Sequence, residues 1–99
     1  MHIVKRYALG MAAHDETLRL PEGSYILCVK MFRGEACLYA LQPANARGLD
    51  TYKVLVIGDD AILEDENVDY IGSVEIRTGL MFHVFTAFMD RAQTTLGVD

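Results

Sequence analysis

Seven short apolar segments, separated by turn residues, make up most of this chain and restrict the folds open to it. Short runs rich in β-branched and aromatic residues, bounded by Gly, Pro, Asn and Asp, are typical of β-strands. Their close spacing favours hairpins between consecutive strands, and hence a mostly antiparallel sheet. We therefore predict an all-β domain, either a small sandwich or a partly open barrel of about seven strands. The predicted strands cover residues 3–9, 17–20, 25–32, 36–42, 52–57, 70–76 and 80–88.

Length and composition narrow the class of protein further. The 99 residues are enough for one domain, in which residues 89–99 form a polar tail. An apolar fraction of 52% supports a packed core and argues against disorder. With 14 acidic and 9 basic side chains the net charge is −5, which repels phosphate backbones, so no direct binding of nucleic acid is expected. The N-terminus lacks the apolar core of a signal peptide, and no run is long enough to cross a bilayer, so we expect a protein of the reducing cytoplasm.

Individual strands carry positional information. Lys5 shares the apolar face of the strand at 3–9, as is typical of an edge strand. The strand at 25–32 is apolar on both faces, which predicts burial on both and a central place in the sheet. The apolar stretch 80–88 carries more hydrophobic surface than a core of this size easily hides, which predicts a homodimer. A short helical turn is predicted around residues 61–65.

Arg33 and Gly34 predict a two-residue hairpin loop, because glycine accepts the positive φ that such a loop requires. This loop pairs Cys28 with Tyr39 and makes Cys28 and Cys37 diagonal neighbours on one face. Diagonal neighbours lie about 7–8 Å apart, beyond the usual reach of a disulfide. Both thiols are therefore expected to be free.

No pattern of catalytic residues can be found in the sequence. His83 lies within an apolar strand, where a histidine held by one hydrogen bond is the expected role, and no nucleophile elbow or triad motif accompanies it. The segment His14-Asp15-Glu16 is predicted to be a loop and solvated. The cysteines lack the spacing of a zinc site. We expect no catalytic residue, no bound metal and no cofactor, and hence a protein that is not an enzyme.

The most distinctive polar segment is an acidic loop with six carboxylates in the eleven residues 59–69. Residues 65–69 begin like an EF-hand, but Tyr70 and Ile76 occupy the positions of its glycine and its bidentate glutamate, which argues against calcium. Two interpretations stay open, a plain solvated loop and a surface for a basic partner that relieves the mutual repulsion. The candidate partner-binding residues are Asp59, Asp60, Glu64, Asp65, Glu66 and Asp69.

Four cations in strands or turns are the alternative candidates for a binding site. An anionic ligand such as a nucleotide signal needs convergent positive charge. The side chains that can supply it are Lys30, Arg33, Lys53 and Arg77.

Four segments together resemble a family of small phage and prophage proteins known mainly as a domain of unknown function. They are residues 20–29 (LPEGSYILCV), 36–41 (ACLYAL), 70–74 (YIGSV) and 82–85 (FHVF). Ser24 and Ser73 stand where the family has alanine and threonine, and the loop after Gly58 lacks the family's Gly-Thr-Gly and proline. The resemblance spans residues 3–86 and implies a viral accessory protein. It implies no catalytic residue, because the shared positions are strand and turn residues.

Charge, size and resemblance together predict a non-enzymatic, phage-encoded accessory protein of the bacterial host cytoplasm. It is expected to bind a host or defence protein with a basic surface, and to inhibit or redirect it as an anti-CRISPR factor does. One alternative is a protein that sequesters a nucleotide signal, using the four cations. The other is a virion or assembly component that associates through its edge strands.

Overall fold

A computed structural model describes residues 1–93 of the chain, which form seven strands. No helix is present in these residues, so the helical turn predicted around 61–65 is not formed. The strands are β1 (His2–Gly10), β2 (His14–Pro21), β3 (Tyr25–Phe32), β4 (Glu35–Pro43), β5 (Gly48–Gly58), β6 (Asp69–Arg77) and β7 (Leu80–Gln93).

The strands pair into two antiparallel sheets that stack as a sandwich. One sheet has three strands in the order β1-β4-β3, and the other has four in the order β2-β5-β7-β6. The all-β prediction is confirmed, and of the two predicted architectures the sandwich is formed, since neither sheet closes into a barrel. The edge position predicted for the first strand is also confirmed.

Strand β3 is not central, contrary to the prediction for residues 25–32. It lies at the edge of the three-stranded sheet, and β4 occupies the centre. Val29 is buried because β3 packs closely on β6 of the other sheet, whereas Tyr25 and Leu27 stay 67% and 49% exposed. One apolar face of β3 therefore packs against the opposite sheet, and the other is an exposed apolar surface.

The β3–β4 hairpin has the predicted two-residue loop. Arg33 and Gly34 both have positive φ, 50° and 86°, as a type I′ turn requires. Phe32 pairs with Glu35 across the loop, and both cysteines are free. Burial raises the pKa of the Cys37 thiol, which disfavours the reactive thiolate.

The core lies between the sheets and is built from the inward positions of the central strands. Leu20, Leu38, Val54 and Val84 are fully buried, each worth about 1.5–3 kcal/mol relative to exposure. Because β7 lies between β5 and β6, much of the apolar surface of residues 80–88 is covered within the chain. The homodimer stays a prediction, but it no longer follows from this strand.

Two register shifts in β6 determine which of its side chains face outward. Arg77 pairs with Leu80, but Ser73 pairs with His83, where an unbroken ladder would place Val84. A second shift follows Tyr70, whose side chain then faces outward and is 60% exposed. A bulge inserts one residue and so exchanges the faces beyond it.

At the C-terminal end, β7 continues to Gln93, beyond the predicted strand end at residue 88. The predicted polar tail therefore begins within a strand, and its residues 94–99 lie outside those described. No helix in residues 1–93 is long and apolar enough to cross a membrane.

Candidate functional site

The acidic loop between β5 and β6 is held against the outer face of the four-stranded sheet at two points. A turn starts it, with the amide of Ala61 donating to the carbonyl of Gly58, and Asp60 adopts a positive φ of 67°. The loop then lies over β7 and β5, which supply one anchoring side chain each, His83 and Lys53. The carboxylates are thus presented on a surface with a defined position in the fold.

The first anchor is a chain of hydrogen bonds that ends at His83. Asp59 Oδ1 lies 2.7 Å from His83 Nε2, and the other ring nitrogen, Nδ1, lies 2.7 Å from Ser73 Oγ. Tyr70 extends the chain, with its hydroxyl 2.5 Å from Ser73 Oγ. This arrangement connects the loop to β6 and β7 through three side-chain contacts.

The order Ser73–His83–Asp59 has the connectivity of a catalytic triad, in which a histidine takes the proton of a serine and a carboxylate orients it. The ring nitrogens are exchanged, however, with serine at Nδ1 and aspartate at Nε2. The Asp59 side chain is 62% exposed, so water screens its charge, unlike the buried aspartate of a protease triad. The geometry is best suited to anchoring the loop.

The second anchor is the ion pair between Lys53 Nζ and Asp65 Oδ2, at 3.2 Å. Both side chains are substantially exposed, so the pair contributes no more than about 1 kcal/mol. It also commits one of the four cations proposed for an anionic ligand. Of the other three, Lys30 lies on β3 of the opposite sheet, Arg33 in the β3–β4 turn and Arg77 at the end of β6. The structure therefore does not bring Lys30 and Lys53 together on one sheet.

Four of the six carboxylates in residues 59–69 make no ion pair or side-chain hydrogen bond with any residue in the described part of the chain. Three of them, Asp60, Glu64 and Glu66, lie in the loop itself and are all exposed. Ile62 stands among them with 84% of its surface exposed, more than any other large apolar side chain of the described residues except Met1. We call Asp60, Ile62, Glu64 and Glu66 the loop surface. Asp69, the sixth carboxylate, is the first residue of β6 and lines a cleft on the other side of the sheet.

An ion pair between a buried carboxylate and a half-exposed arginine, which the sequence did not predict, lies at the far end of the sheet. Asp50 on β5 is 1% exposed and accepts two bonds from Arg91 on β7, from Nε at 2.6 Å and from a terminal nitrogen at 3.1 Å. It also accepts the amide of Gly23 at 3.0 Å, which ties the β2–β3 turn to β5. The Arg91 guanidinium holds the pKa of the Asp50 carboxyl below its ordinary value, against the effect of burial.

His14 also has partners that the loop prediction missed, because it begins strand β2. Its Nε2 lies 2.7 Å from Glu16 Oε2, two residues along the strand on the same face. This contact raises the pKa of His14. In residues 1–93 no three His, Cys, Asp or Glu side chains are grouped closely enough to hold a metal ion.

The two polar clusters could not be predicted from the sequence, for different reasons. The Ser73–His83 contact depends on a bulge, and no sequence signal marked where in β6 it falls. Asp50 and Arg91 are 41 positions apart, and only the pairing of β5 with β7 brings them into contact. Asp50 lies outside the strand predicted at 52–57, so nothing in the sequence marked it as a buried residue.

Comparison with known proteins returns one finding. A family model described as a domain of unknown function (DUF7352) matches residues 1–94. No curated protein and no solved structure matches the chain.

Proposed function

The chain belongs to the DUF7352 family, a domain of unknown function, and from that premise we propose that it is a non-enzymatic binding protein. The proposed partner is a host or defence protein with a basic surface, which the protein inhibits or redirects. The proposal includes a phage origin and action in the cytoplasm of the bacterial host. The observation that carries it is the loop surface, an anchored acidic segment around an exposed isoleucine.

Three physical features support binding at the loop surface. The anchors at Asp59 and Asp65 reduce the conformational freedom that a partner would otherwise have to remove. The free carboxylates repel one another, and a cationic partner relieves that repulsion. An apolar side chain surrounded by charge matches the usual interface arrangement, in which a desolvated anchor is enclosed by a polar rim. Ile62 supplies that anchor.

The test removes the free charges and leaves both anchors in place. We expect the triple variant Asp60→Asn/Glu64→Gln/Glu66→Gln to lose affinity for the partner by on the order of tenfold or more, because the complementary charge is gone. The partner is first captured from host lysate with the wild-type protein and purified, and its affinity for each variant is then measured by calorimetry.

A matched control neutralises three carboxylates outside the loop, in the variant Asp15→Asn/Glu35→Gln/Asp90→Asn. This variant also loses three negative charges, and we expect it to bind the partner like the wild type. Equal affinity of both triple variants would contradict the assignment of the loop surface. A wild-type protein that captures no partner at near-stoichiometric level would contradict the function itself.

The connectivity of Ser73, His83 and Asp59 favours one rival function, a serine hydrolase. A nucleophilic serine reacts covalently with fluorophosphonate probes, whereas a serine that only anchors a loop does not. We expect no adduct on the wild-type protein by intact-mass spectrometry after incubation with the probe. An adduct that disappears in both Ser73→Ala and His83→Gln would establish the hydrolase and refute a purely binding role.

A further inference from the structure

An open cleft with three aromatic walls lies where the β2–β3 turn meets β5 and β7. Tyr25, Tyr52 and Phe88 line it, within a volume of about 340 Å³. Tyr25 is 67% and Phe88 53% exposed, while the Tyr52 and Phe88 rings meet edge-on with centroids 5.6 Å apart. Tyr52 packs against the core, whereas Tyr25 and Phe88 are mostly exposed and can contact a ligand.

This cleft adjoins a second one of about 290 Å³ that shares Tyr25 and Tyr52. The second cleft adds Asp69 from β6 and the apolar side chain of Ile71. Asp69 ends the acidic loop, but its position in β6 places it on the inner face of the sheet, away from the loop surface. The combined groove therefore has aromatic walls at one end and a carboxylate at the other.

The charge around the groove is negative despite the presence of an arginine. Arg91 is bonded to Asp50 through two nitrogens and lies 3.4 Å from Glu22 Oε2, so two carboxylates compensate its single positive charge. Asp69 adds a further negative charge with no counter-ion among the described residues. An anion in this groove meets net repulsion, whereas a cation meets attraction from both the carboxylates and the ring faces.

We propose that the groove binds an arginine side chain of a partner protein, with its guanidinium on the ring of Tyr25, which lines both clefts, and its donors toward Asp69. Arginine is favoured over lysine because its planar group stacks on rings and donates two parallel bonds to a carboxylate. The molecule already contains one such contact, with Arg6 over the Phe32 ring at 3.8 Å. The inference rests on the proposed function only for the statement that the partner is a protein.

The test uses Nα-acetyl-arginine methylamide as probe and the corresponding citrulline compound as its neutral counterpart of the same shape. In amide nitrogen–proton NMR spectra of the full chain, we expect the arginine probe to shift signals of residues 23–25 and 69–71. Saturation is expected in the range of about 10 mM, as suits a single side chain. The citrulline probe is expected to leave these signals in place, because it lacks the positive charge.

Two variants connect the shifts to the groove. Tyr25→Ala and Asp69→Asn are each expected to weaken binding of the arginine probe by about threefold to tenfold. Asp60→Asn, which removes the same charge from the loop surface, is expected to bind the probe like the wild type. The dispersion of each spectrum reports whether the variant is folded, so loss of binding is separated from loss of structure.

Equal shifts with the citrulline probe would overturn the proposal, and so would the absence of shifts with the arginine probe at about 50 mM. A titration with adenosine monophosphate tests whether the groove binds an anion. Shifts of the same residues by this nucleotide alone would assign the groove to an anionic ligand instead. The probe titration does not depend on the partner, so its result stands even if the loop variants bind the partner like the wild type. The two proposals can therefore be refuted separately.

Discussion

At the scale of single residues, the buried carboxylate of Asp50 is the most consequential polar group. It joins three segments of the chain, through Arg91 on β7, the amide of Gly23 in the β2–β3 turn and its own strand β5. A buried acceptor that loses its charge leaves those donors poorly satisfied. Among single substitutions of polar residues, we therefore expect those of Asp50 to have the largest effect on stability.

We predict that Asp50→Asn lowers the free energy of unfolding by about 2 kcal/mol at pH 7, as measured by urea denaturation. The loss is smaller than for a fully buried pair, because the half-exposed Arg91 can return to water. Asp60→Asn, at an exposed carboxylate without a partner, should change stability by less than about 0.5 kcal/mol. Similar losses in both variants would contradict the structural role of Asp50.

The same pair predicts a dependence of stability on pH. Because Arg91 lowers the pKa of Asp50 in the folded state, the stabilisation is complete above the unfolded pKa of about 4 and is lost as the pH falls through the folded value. The stability difference between the wild type and Asp50→Asn should therefore shrink below about pH 4. A difference that stays constant down to about pH 2 would exclude this linkage.

At the scale of elements, the most extensive contact between the two sheets is that of β3 with β6. A Cβ atom on Gly72 would lie 2.9 Å from Cγ1 of Val29, a distance that real contacts do not allow. The two sheets can therefore pack closely at this edge because Gly72 has no side chain. The neighbouring register shift is what brings Gly72 opposite the buried Val84.

We predict that Gly72→Ala destabilises the protein by about 1–3 kcal/mol, because the added methyl group forces the two strands apart. In the Val29→Ala background the clashing methyl is absent, so Gly72→Ala should lower the free energy of unfolding much less. A double-mutant cycle measures the difference between the two backgrounds. Gly58→Ala is the matched control, since its Cβ would meet no atom within 4 Å. Equal costs of Gly72→Ala in both backgrounds would show that this contact does not limit the packing.

At the scale of the whole molecule, the clustered negative charge opposes the stability of the fold. The chain carries a charge of −5, and six of its carboxylates fall within residues 59–69, where only Asp59 and Asp65 have partners among the described side chains. Self-repulsion of this kind destabilises the compact state. A sequence selected for stability alone would not keep the free carboxylates of the loop surface.

We therefore predict that the triple variant Asp60→Asn/Glu64→Gln/Glu66→Gln is more stable than the wild type, by about 0.5–1 kcal/mol at low salt. The gain should vanish in about 1 M NaCl, where screening acts over a few ångström. The Asp15→Asn/Glu35→Gln/Asp90→Asn variant, with the same net charge, should gain less because its charges are dispersed. Thermal melts at both salt concentrations measure the effect, and a loss of stability in the loop variant would mean that these carboxylates are structural.

Local pattern was enough to predict the strands, the mostly antiparallel pairing and the β3–β4 turn, because each depends on alternation or on the φ of one or two residues. Within residues 1–93, the expectation that consecutive strands form hairpins was right only for β3–β4 and β6–β7, and the other strands pair with partners farther along the chain. The acidic loop was also visible, since six carboxylates in one segment have no place in a core. The distribution of the strands between the two sheets and the edge position of β3 were not predictable, because they depend on which faces pack together. The bulges of β6 and the pairs Ser73–His83 and Asp50–Arg91 follow from packing as well. Residues 10 and 41 positions apart become neighbours only when the ladders are assembled, and a shift of one residue decides which face each side chain occupies.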